Sequence, residues 1–166
     1  VAALVIAGCG GSPEVSSGEN LAVGKELFVG GNPGVATPSC GACHVLEAAG
    51  TSGQIGPNLD HGFGPTRAQG FELSTIEQVV REQMEIPGVP TDVALNNVDG
   101  QSRIAMPSRD DYGFSEAQAD DIAFFVTACS GLNFLDPADP ETQASIDLCS
   151  GLPDVETGPR PPQPEE

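Results

Sequence analysis

The 166-residue chain predicts an all-α domain, three to five helices joined by long loops, on three observations. Three segments repeat apolar residues at the helical period and stop near glycine. The stretches between them are rich in Gly, Pro, Asn and Asp and carry no alternating strand pattern. Apolar residues make up 39% of the chain but aromatics only 5%, with no Trp and one Tyr, so the helices by themselves build a thin core. Long loops in a compact domain usually wrap something functional, and a large apolar group at the centre would complete such an interior.

The opening stretch VAALVIAGC brings an apolar run to small residues and then to Cys9. It resembles the end of a bacterial lipoprotein signal, with Cys9 as the lipidated residue. Eight residues cannot cross a bilayer, which takes roughly 20 in a helix, so acyl chains on Cys9 would be the anchor, at the extracytoplasmic (periplasmic) face. Residues 10–19, GGSPEVSSGE, read as a flexible tether. One domain follows over 20–150, with a core at 20–130 and an extension at 131–150. Residues 151–166 are proline-rich and acidic and read as a disordered tail. With 24 acids against 6 bases and a net charge of −18, nucleic acid is excluded as a partner, since phosphate contacts need clustered cations.

The first helix is NLAVGKELFVGG, with Leu21, Gly24, Leu27 and Phe28 on one face and an end at Gly30 and Gly31. The second is STIEQVVREQME, opening on an expected capping box of Ser74 and Glu77 and stacking Ile76, Val79 and Val80. The third is SEAQADDIAFFVTACSG, with a capping box of Ser115 and Gln118. It carries Ile122, Phe125, Val126 and Cys129 at i, i+3, i+4 and i+7, and Gly131 stops it.

Between the first two helices stands PSCGACH, residues 38–44. C-x-x-C-H is the attachment pattern of c-type haem. The two-residue gap sets the sulfurs of Cys40 and Cys43 at the separation of two vinyl groups, and His44 follows as the proximal iron ligand. Zinc would need two further ligands in a tight pair, and Cys129, Cys149 and His61 are scattered. A thioredoxin-like dithiol would need a βαβ context that is not evident.

The order GKELF, CGACH, GPNL at 56–59, MP at 106–107 and ADDIAFFV resembles a class I cytochrome c over residues 20–130. The resemblance implies an all-α fold wrapped around one covalent haem c. It implies that Pro57 offers its carbonyl to the other ring nitrogen of His44. It also implies that the first and last helices cross near Gly24, Phe28 and Phe125, and that Met106 is the second axial ligand. The residues support the last point: methionine sulfur is a soft ligand, and Pro107 stiffens its loop. His61 and Met84 are the other side chains that could reach the iron. Met84, four residues after Val80, reads more readily as core filler, and His61 as surface.

Cys129 and Cys149 remain. In an oxidising compartment two leftover thiols pair most economically, pinning 131–150 to the last helix; the alternative is a buried thiol on the apolar stripe. A haem ligated on both faces leaves no open position for a substrate, and no carboxylate or histidine is arranged for acid–base work. The expectation is an electron carrier rather than an enzyme. As in related lipoprotein cytochromes, its partners would be a quinol-oxidising complex and a terminal oxidase or reaction centre; the alternative is a fixed subunit of a larger membrane complex. Asp110, Asp111, Glu116, Asp120 and Asp121 cluster near Met106 and could steer a basic partner.

Overall fold

A computed structural model of the chain describes residues 20–87 and 106–155. Cys9, the tether and the tail from residue 156 lie outside the described residues. Helix accounts for 61% of the structure and strand for 3%, which makes the domain all-α. Among the described residues, no helix is long and apolar enough to cross a membrane.

Helix α1 is Leu21–Gly30. The Asn20 side chain accepts from the amides of Ala22 and Val23 at 3.0 and 3.2 Å, satisfying two of the donors a helix start leaves open. Gly31 ends it at φ +75°, a conformation glycine adopts without steric cost. Helix α6 is Glu116–Cys129, and its capping box is formed: Ser115 Oγ accepts from Gln118 N at 3.3 Å and Gln118 Oε1 from Ser115 N at 2.9 Å.

The two helices cross at Gly24. A Cβ there would stand 2.0 Å from the Asp121 carbonyl oxygen and 2.7 Å from Phe125 Cβ, so only glycine permits the approach. One turn on, the Phe28 and Phe125 rings meet edge to face, 5.9 Å between centroids. Leu27, Leu46, Ile122, Phe125 and Val126 bury themselves around this crossing.

Helix α4, Leu73–Glu85, packs against α6 through Ile76, Val80 and Met84, with Arg81 and Asp120 paired at 2.8 Å. It differs from the expectation in two ways. It starts at Leu73, so Ser74 lies inside its first turn, and Glu72 caps without a side-chain bond. Val79 is 44% exposed, because the buried stripe runs at strict i, i+4 spacing and Val79 falls beside it.

Four helices were not legible in the periodicity. Cys40–Cys43 (α2) and Arg109–Tyr112 (α5) are single turns. Leu59–Ala68 (α3) contains Gly62, Gly64 and Pro65 and still forms, with Asn58 capping His61 N at 3.0 Å. Pro140–Ser150 (α7) starts from Asp139, which caps Thr142 N at 2.9 Å. Two short strands, β1 (Val45–Leu46) and β2 (Thr51–Ser52), pair antiparallel around a tight turn.

A disulfide joins Cys129 to Cys149, fastening α7 to the end of α6. Residues 151–155 do not begin a disordered tail as expected: Leu152 and Val155 pack against the core. Their apolar side chains find cover beside α7, which a proline-rich composition does not reveal.

Candidate functional site

The CGAC turn follows Ser39, and the His44 amide closes it on Cys40 O at 2.9 Å. His44 itself is extended (φ −110°, ψ 143°), so the chain leaves the turn there and enters β1. Four hydrogen bonds hold the segment. Thr51 Oγ1 donates to His44 O at 2.9 Å and accepts from Leu46 N at 3.1 Å. Ile55 N and Gly56 N both donate to Cys43 O, at 3.1 and 2.8 Å. Glycine makes the closeness possible: a Cβ on Gly53 would lie 2.5 Å from the Cys43 carbonyl carbon, and one on Gly56 would lie 2.4 Å from His44 Cε1.

The His44 imidazole is buried and its Nδ1 stands 2.8 Å from Pro57 O. A carbonyl only accepts, so Nδ1 is the donor, and Nε2 is the ring nitrogen not engaged by Pro57. The ring is thereby fixed in both tautomer and plane. Pro57 is delivered by the GPN loop, which turns directly into α3 through the Asn58 cap.

Cys40 and Cys43 are not joined to each other in a disulfide. Cys40 is buried in the core, and that burial pushes its thiol up to about 12. The Tyr112 hydroxyl beside it is also held above its ordinary value, first by burial and then by the nearby Cys40 sulfur. A redox-active dithiol needs the opposite, a thiol with its pKa lowered toward neutrality. Tyr112 stacks on Phe114, 5.2 Å between centroids, closing this side of the core.

Met106 is half-buried and packs against the same apolar cluster that contains Cys40. Met84 is a core residue of α4. His61 lies on α3 with its ring against Phe134, 5.6 Å between centroids, away from the motif's hydrogen bonds. Most of the acids near Met106 have local work. Asp111 closes a capping box with Ser108, Asp120 pairs with Arg81, and Asp121 accepts the Asn20 amide.

Sequence reasoning missed Thr51, Asp60 and Arg67. Asp60 is buried, accepting from Glu47 N and from Gly131 N, both at 2.9 Å. Arg67 is also buried and donates to the carbonyls of Thr127, Ala128 and Ser130 at 2.8–2.9 Å. Burial lowers its pKa, and its guanidinium serves as the cap of α6. Their partners are backbone groups distant in sequence, so no local motif marks them.

Among the described residues no three His, Cys, Asp or Glu side chains gather as a metal cluster. Family models, curated proteins and solved structures were compared with this chain, and none matches it.

Proposed function

We propose that the protein is a monohaem c-type cytochrome with a class I fold, moving single electrons between membrane complexes. The observation that carries this reading is the arrangement at His44. Two cysteines on one helical turn precede an imidazole whose Nδ1 is occupied by Pro57 O and whose Nε2 is left to ligate. The donor set fits the group. Cys40 and Cys43 would hold it by thioether bonds, and His44 Nε2 and the Met106 sulfur would hold its iron. The Gly24 crossing of α1 and α6 agrees with the same family pattern.

When bound, haem c supplies a one-electron couple between Fe(III) and Fe(II). The chain's own part is to orient and to exclude water. Pro57 O keeps the His44 proton on Nδ1 and raises the basicity of the ring. Tyr112, Phe114 and Leu46 keep the Cys40 side dry. The donor would be a quinol-oxidising complex and the acceptor a terminal oxidase or reaction centre, with a lipid on Cys9 holding the carrier at the periplasmic face. Phe134 and Leu148 on the extension are exposed apolar residues, which favours fixed membership in a larger complex as the second reading.

Expression with a c-type maturation system tests this directly. The expected product keeps its haem through denaturation, and Met106→Ala loses the far-red Met–Fe(III) band. Haem that washes off the unfolded chain would sink the proposal, and a band that survives in Met106→Ala would sink the ligand assignment. Extraction in mild detergent followed by sizing separates a lone carrier from a subunit.

A further inference from the structure

We infer that Asp60 is a positioning residue for the His44 imidazole, acting through a backbone frame closed at two corners; this rests on the haem reading above. The first corner is the bond between His44 Nδ1 and Pro57 O, 2.8 Å. The second is the Glu47 N–H donating to Asp60 Oδ2, 2.9 Å. Both bonds join residues 13 apart, so residues 44–47 and 57–60 run in the same direction and are tied at each end. Ile55 N and Gly56 N, both donating to Cys43 O, also tie the first corner, and the Asp60 bond is the tie at the other end. Joined at both, the two segments hold the imidazole's acceptor at a set distance and angle.

Asp60 suits the far corner. It is 5% exposed, and its other oxygen accepts from Gly131 N at 2.9 Å. A carboxylate accepts on both oxygens, whereas an amide would turn a donor toward one of the two N–H groups. Charge-assisted bonds of this kind are the stronger class, and a buried carboxylate requires them. The Gly131 bond ties the frame to the end of α6, which Arg67 grips from the same helix seven residues further on. The imidazole's support is therefore continuous with the helix that forms the core crossing.

The Glu47 N–H can be deleted without touching the Asp60 charge. Leu46 has φ −147° and ψ 113°, which a following proline tolerates, and Glu47 opens a 3-10 turn where proline fits. Glu47→Pro removes the donor; Glu47→Ala removes the same side chain and keeps it. In the haem-bearing protein the His44 Nδ1 proton is expected to exchange with solvent about ten-fold faster in E47P than in E47A, the loss of roughly one hydrogen bond. The reduction potential of E47P should also move upward, because a less basic imidazole favours Fe(II). Equal exchange in the two variants overturns the inference.

Arg67→Gln controls for general loosening, since it weakens the α6 end without opening the frame. Exchange in R67Q matching that of E47P, at equal loss of melting temperature, also overturns the inference. If E47P does not fold, Asp60→Asn is read against R67Q by the same criterion. Covalent haem in the wild-type protein is judged separately from its optical spectrum, so a failure of the haem reading is distinguishable from a failure of the frame.

Discussion

At the scale of single residues, the site is a matter of which atoms donate and which accept. Pro57 O can only accept, and that decides the His44 tautomer. Thr51 works from the other side of the histidine, bonding its carbonyl and the Leu46 amide with one hydroxyl. Thr51→Val should cost about 1 kcal/mol, read from urea denaturation, because the isosteric side chain leaves both backbone groups without that partner. Asp111 makes a pH prediction. The Ser108 amide and hydroxyl hold its carboxyl below the ordinary range. A depressed carboxyl contributes stability above its unfolded value, near 4, and loses it as pH falls through the lower folded value. The melting temperature of Asp111→Asn should therefore fall less than that of wild type below about pH 4, with no difference in slope between pH 6 and 8. Parallel acid limbs would contradict the assignment.

Elements show why some structure is legible and some is not. Helices α1 and α6 announce themselves because caps, stripe and terminal glycine agree. Helix α3 does not, because Gly62, Gly64 and Pro65 oppose helix locally, and the residues that dock it are the charges Asp60 and Arg67. Those charges are buried because distant backbone groups satisfy them, which no period in the sequence encodes. The expected capping box at Ser74 fails for a related reason: Gly70, at φ +80°, turns the chain early enough for α4 to begin at Leu73. The α1–α6 crossing gives the sharpest test at this scale. Gly24→Ala forces a methyl into the Asp121 carbonyl, and the separation needed should cost about 3 kcal/mol, measured by chemical denaturation. A loss below half a kcal/mol would show that the helices do not cross as described.

Over the whole molecule, a small aromatic-poor domain is held by a few long-range ties rather than by a large core. The Cys129–Cys149 bond is one, closing 20 residues. In the chain-entropy picture a loop of that size contributes about 3 kcal/mol, so replacing both cysteines by serine should lower the melting temperature in calorimetry. Leu152 and Val155 follow the disulfide onto the core, which is why the domain runs past the boundary that composition suggested.

The residues alone determined the helical class, the motif Cys40–Cys43–His44 and the candidate Met106. Each is carried by spacing or by chemistry visible within one segment. The tertiary structure alone decided which nitrogen of His44 meets Pro57 O, that Gly24 lets α1 and α6 touch, and that Asp60 and Arg67 are buried against backbone groups distant in sequence. The physical reason is common to all three: backbone carbonyls and amides look alike at every position in a sequence. Which of them meet a given side chain depends on how the whole chain is folded.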